Sequence, residues 1–154
     1  MKSFLSFDKQ DECPDLLNES VDPDIINLNI GPSDYTLELA DTPDKIIRGL
    51  SGRESIPRKT GMLFVMPEEK IQDFWMWECL TDMDGLFLDS DGVIVNMHRM
   101  LAESPKNKFE SHNNYQSRLK LYSSEKPAKY VIEIPSGDIT RLGLSVGEKL
   151  DLPI

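Results

Sequence analysis

From Tyr35 the chain alternates, with Tyr35, Leu37 and Leu39 on one side and Thr36 and Glu38 on the other, the period-two signature of a half-buried strand. Asp41-Thr42-Pro43-Asp44 ends that strand and predicts a helix start. Thr42 can cap, Pro43 fits the first helical position, and Asp44 favours the positive end. Ile46, Ile47 and Leu50 give the helix an inner face, and Gly49 and Gly52 stop it within about two turns. Residues 62–66 predict a buried strand. Residues 73–78 predict another, in which Phe74 and Met76 oppose Trp75 and Trp77.

Residues 85–88 and 93–95 flank Asp89-Ser90-Asp91-Gly92, whose Asp-Gly pair suits the positive backbone angles of a tight hairpin turn. Residues 102–117 are polar enough to read as one long loop. Strands over 119–122 and 130–134 follow. A helical turn then opens at Pro135-Ser136-Gly137-Asp138 and closes at Gly143, ahead of a last strand near 146–150. The sum is a mainly β, small barrel-like domain of short strands with one or two short helices, because closure removes exposed sheet edges.

The first 34 residues lack either period and are rich in Asp, Asn, Ser and Pro, so they bury too little apolar surface to offset the entropy of ordering. They read as an acidic, mobile leader (1–34) ahead of a single β-rich domain (35–154). Within that leader Ile25, Ile26, Leu28 and Ile30 are the residues besides Phe4, Leu5 and Phe7 that look able to dock.

Charge sharpens the picture. Seventeen Lys and Arg against 27 Asp and Glu give −10, of which residues 1–34 hold −6. An acidic chain disfavours binding to nucleic acid or anionic membrane through net charge. No apolar run approaches the roughly 20 residues that cross a bilayer, and residues 1–8 are unlike a secretory signal. Cys13 and Cys79 form no CxxC pair, which suits a reducing compartment.

Taken in order, several segments resemble one family, domain of unknown function 192. They include Ala40, Thr42, Arg48-Gly49-Leu50, Arg53, residues 61–66, Phe74-Trp75-Met76, Asp84, Phe87, Asp89, Asp91-Gly92, residues 128–137, Arg141-Leu142-Gly143 and Gly147. The resemblance runs over about residues 35–152 and implies a compact β-rich, barrel-like fold with short helices. It implies no established activity, substrate or cofactor. Where the family pattern has Lys-Asn-Thr after Phe-Trp-Met, this chain has Trp77-Glu78-Cys79, and Asp82 stands where the pattern has Pro. A cation and an amide have become an aromatic and a carboxylate.

The candidate chemistry is sparse. Cys79 with His98 or His112 is a conceivable nucleophile-base pair, but Glu78, Asp82 and Asp84 would raise a neighbouring thiol's pKa. The acidic run through Asp89 and Asp91 fits a hairpin turn better than a calcium loop, since Gly92 falls two places early. Arg48 and Arg53 could clamp an anion or form ion pairs, with Asp84 or Glu78 as partners. From Arg99 to Lys129 seven basic residues face three acidic ones, interleaved with Phe109, Tyr115 and Tyr122. That stretch reads as a solvated face rather than a nucleic-acid surface.

Two functional readings emerge. The first is a non-enzymatic binding or assembly module that uses residues 74–84 and the 102–117 loop against another protein, without membrane, cofactor or metal. It would work in the cytoplasm of a bacterial or infected cell. The residues 1–7 also resemble the openings of phage head proteins that carry a cleaved propeptide. Leu17-Asn18-Glu19 fits the cleavage pattern and makes Glu19 a candidate processing site, with the virion as the alternative location. Leu101-Ala102-Glu103 fits equally well, so the motif has little specificity. The second reading is a small enzyme or ligand receptor with a cleft lined by Arg48, Arg53, Trp75, Glu78 and Asp84.

Overall fold

The computed structural model describes Lys2, Ser3 and residues 24–154. Its strands are β1 (Lys2–Ser3), β2 (Ile25–Ile30), β3 (Ser33–Ala40), β4 (Thr60–Trp75), β5 (Met83–Leu88), β6 (Ile94–Met100) and β7 (Tyr122–Pro135). Three short helices join them: α1 (Pro43–Arg48), α2 (His112–Arg118) and α3 (Asp138–Leu142). The strands form one mixed sheet in the order β2-β3-β4-β7-β5-β6, with β1 added beside β4. The domain is mainly β, as the alternation predicts. Its end strands β2 and β6 do not pair, so barrel-like describes it only loosely.

Local chemistry accounts for the first elements. Leu28 and Ile30 of β2 are buried while Asn27 and Asn29 face out, and the strand pairs antiparallel with β3 from Ile25–Glu38 to Ile30–Ser33. Residues 25–30, placed in the leader by composition, thus belong to the sheet. Lys2 and Ser3 lie opposite Trp75 and Phe74. Glu19, with residue 1 and the rest of 4–23, lies outside the described residues. In α1 the Thr42 hydroxyl accepts from the Lys45 N–H, Pro43 sits in the first turn, and the chain leaves at Gly49 with φ +47°. This helix lies in the crossover that parallel pairing of β3 with β4 requires.

The centre of the sheet differs from expectation. Residues 62–66 and 73–78 were separate strands by pattern, yet β4 runs unbroken for 16 residues to Trp75. Likewise β7 runs unbroken from Tyr122 to Pro135 through the strand expected over 130–134, and of the one expected near 119–122 only Tyr122 is strand. Irregularities fall between Val65 and Lys70 and between Ile71 and Asp73. Buried Gln72 and Ser124 bridge them: the Ser124 hydroxyl accepts from the Gln72 N–H and donates to the Lys126 carbonyl, while the Gln72 amide donates to the Ala128 carbonyl. Those bonds satisfy backbone groups that the bulges leave out of the ladder. The expected last strand near 146–150 shrinks to a single bridge between Val93 and Lys149.

Both faces of the sheet are covered. On one, Met62, Phe64 and Val131 pack with Ile46 and Leu50 around α1. On the other, Leu63 and Ile132 pack with Leu28, Tyr35 and Leu144. Burial on both faces explains why β5 is apolar except for Asp84 and Gly85.

Candidate functional site

The residues singled out by pattern go to three places. Phe74 and Met76 enter the core, where Phe74 meets Phe64 and Phe87 edge-on at ring separations of 5.2 and 5.7 Å. Alternation sends Trp75 and Trp77 to the opposite side, into a separate cluster with Tyr115 and Leu119. Arg53 makes a two-point ion pair with Glu38 of β3, rather than with Asp84 or Glu78. Arg48 is half-buried at the end of α1.

Asp84 is a buried structural group. One carboxylate oxygen accepts from the Gly137 and Ile139 N–H groups at 3.0 and 2.9 Å, holding the turn that opens α3. Burial raises its pKa, against the opposing pull of those two bonds. On the same side the Tyr35 hydroxyl donates to Asp138 at 2.6 Å and accepts from Arg141 at 3.0 Å, fastening α3 to β3. Of the cleft of Arg48, Arg53, Trp75, Glu78 and Asp84, the segment after α1 is held against residues 77–78, with the Gly52 N–H donating to the Glu78 carbonyl and the Ser51 hydroxyl to the Trp77 carbonyl, both at 2.9 Å, while Asp84 is committed to the α3 turn.

The polar stretch between β6 and β7 is instead a built excursion over residues 101–121. It was expected to be loop over 102–117, but it contains α2, capped by the Ser111 hydroxyl, which accepts from the Asn114 N–H. Arg118 ties it to itself, donating to the Glu110 carboxylate at 2.7 and 3.0 Å and to the Ser104 and Pro105 carbonyls. The Lys120 N–H donates to Glu103. Tyr115 is buried beneath, and its ring lies 4.7 Å from that of Trp77. At the surface Phe109 is 88% exposed, with Leu101 and Leu121 about half exposed.

The candidate nucleophile and bases, Cys79, His98 and His112, are engaged in separate places. Cys79 is buried, and burial pushes its thiol pKa up, away from the thiolate a nucleophile needs. A ring nitrogen of His98 contacts the Ser123 carbonyl at 2.7 Å, and His112 stacks on Trp77. Asp89 accepts from the Asp91 and Val93 N–H groups, the local turn its position predicts. No group of three or more His, Cys, Asp or Glu able to hold a metal occurs among the described residues. No helix among them is long and apolar enough to cross a membrane.

The family profile for domain of unknown function 192, described as Uncharacterized ACR, matches residues 26–152. The chain belongs to the DUF192 family. A Sinorhizobium meliloti protein, described as a candidate transcription regulator, superposes with a TM-score of 0.68 at 28% identity, covering 86% of this chain and 97% of that one. A Novosphingobium aromaticivorans protein of unknown function shares the fold, with a TM-score of 0.67 at 20% identity over 87% of this chain and 95% of its own. No curated protein matches the chain.

The residues that the sequence reading set apart from the family pattern, Trp77, Glu78 and Asp82, each touch the excursion. Trp77, in place of Lys, stacks on His112 and packs on Tyr115. The N–H of Glu78, in place of Asn, donates to the Tyr115 hydroxyl at 2.9 Å, with Glu78 at φ +51° and its side chain exposed. Asp82, in place of Pro, accepts from the Ala102 N–H at 2.7 Å. One residue was overlooked by pattern: Glu133, fully buried in β7. Its signal was a lone charge inside the apolar run Val131-Ile132-Glu133-Ile134. Register puts it on the face of Val131 and Met62, opposite the face that receives Asp84, so the two carboxyls do not form a dyad.

Proposed function

We propose that this DUF192 member is a non-enzymatic binding or assembly module for another protein, acting through the 101–121 excursion. The observation that carries this reading is the convergence of Trp77, Glu78 and Asp82 beneath a segment that presents Phe109 88% exposed. An ordered platform with an outward aromatic loses little conformational entropy when it docks. The catalytic alternative has less to stand on, because Arg53 is engaged by Glu38 and Asp84 holds backbone amides on the other face.

Affinity capture from the native setting, followed by mass spectrometry, tests the reading with wild type and Phe109→Ser. A partner present with wild type and lost with the variant is the expected result. Identical captures would overturn it. Phe109 is too exposed for the substitution to disturb the fold.

Association with a phage virion is a narrower version, supported by the likeness of residues 1–7 to phage head proteins and by Leu17-Asn18-Glu19. The intact mass of the natural protein tests it: a chain starting after Glu19 in particles supports it, and absence from particles removes it.

A further inference from the structure

We infer that the excursion receives an acidic peptide segment of its partner, with carboxylates over Lys106, Lys108 and Lys120 and an apolar side chain against Phe109. This rests on the reading of the excursion as the partner surface. Residues 101–121 hold four Lys and Arg against two Glu, a net +2 inside a chain of −10. Field lines from such an island attract what the rest of the molecule repels.

The cations differ in their commitments. Arg118 is spent on Glu110 and two carbonyls, inside the excursion's own framework. Lys106, Lys108 and Lys120 make no ion pair among the described residues. Lys108 lies 4.9 Å from the Phe109 ring centre, and Lys120 lies 4.9 Å from that of Tyr122. Each ammonium is thus held beside an aromatic surface, with its remaining N–H donors open to solvent. An acidic segment with an interspersed Leu or Phe matches that alternation of charge and apolar surface. A partner bearing a basic face would meet like charge at all three lysines.

The probe is a labelled short peptide alternating Glu with Leu and Phe, titrated into the full chain at low and physiological salt. Its counterparts are a peptide with Lys for Glu and a single-stranded oligonucleotide. The Glu peptide should bind, weaken with salt, and lose about tenfold in affinity when Lys106, Lys108 and Lys120 are all changed to Glu. Tighter binding of the oligonucleotide, or equal binding of the charge-reversed variant, overturns the inference. The native capture separates the two levels. A partner lost with Phe109→Ser but kept by the triple variant leaves the partner surface standing and removes its acidic preference. A partner kept by both variants removes both.

Discussion

Glu133 on β7 stands directly across from Gly85 on β5, and neither of its carboxyl oxygens has a hydrogen-bond partner among the described residues. The missing side chain at Gly85 leaves room for the Met100 thioether, which lies over that position. A carboxylate so placed loses its hydration and gains no hydrogen bond among the described residues in return. Burial accordingly pushes the Glu133 pKa up to about 8.

A stability profile against pH follows. The folded pKa lies above the unfolded one, so the contribution is complete below the ordinary carboxylate range and is lost as pH rises through about 8. Wild type should lose roughly 1.4 kcal/mol per pH unit across that window from this group. Glu133→Gln, which mimics the neutral acid, should flatten the slope, with the variant the more stable at pH 9. Urea melts from pH 5 to pH 9 check this, and a flat wild-type profile would contradict it.

Two glycines should respond differently to Ala. A Cβ at Gly85 would come 2.7 Å from the Met100 methyl, which can swing aside, so Gly85→Ala should cost about 1–3 kcal/mol. Shortening Met100 to Ala should make that step cheaper in a double-mutant cycle. At Gly61 the obstacle is the Glu133 carbonyl oxygen at 2.0 Å, a backbone atom, and Gly61→Ala should be the more damaging. Thermal melts of the four variants read the difference, and equal costs at both glycines would count against this account of the packing.

Asp84→Ala removes the acceptor for two amides at the start of α3. It should cost about 2–4 kcal/mol and speed hydrogen exchange at Gly137 and Ile139, while Asp84→Asn, still an acceptor, should lose less. If Asp84→Asn abolished partner capture with stability and exchange unchanged, Asp84 would have to be more than structural.

Trp77→Lys removes the ring on which His112 and Tyr115 rest. Amides of residues 101–121 should lose protection while those of β5 and β7 keep theirs, because the aromatic cluster is separate from both main core clusters. Hydrogen exchange by mass spectrometry resolves the two regions.

Legibility in the sequence followed locality. The strand from Tyr35, the capped helix at Thr42 and the turn at Gly92 are written in contiguous residues, and all three occur. The unity of β4 and β7 was not visible, because exposed residues 67–71 and 125–127 interrupt each apolar run where the two strands bulge. In α2 the only buried residue is Tyr115, too little to set a helical period. Trp77, Glu78 and Asp82 were visible as departures from a pattern. Their common neighbour begins about twenty residues downstream and is specified only by folding.

The strand order carries a consequence for synthesis. β2, β3 and β4 form one ladder and β5 and β6 another, and only β7, drawn from residues 122–135, joins them. A nascent chain released up to residue 121 therefore holds two half-sheets, each presenting a bare apolar edge at what becomes the middle of the protein. Such edges invite pairing with other chains until the last strand slots between them. Until β7 has been made, this fold cannot close over its own centre.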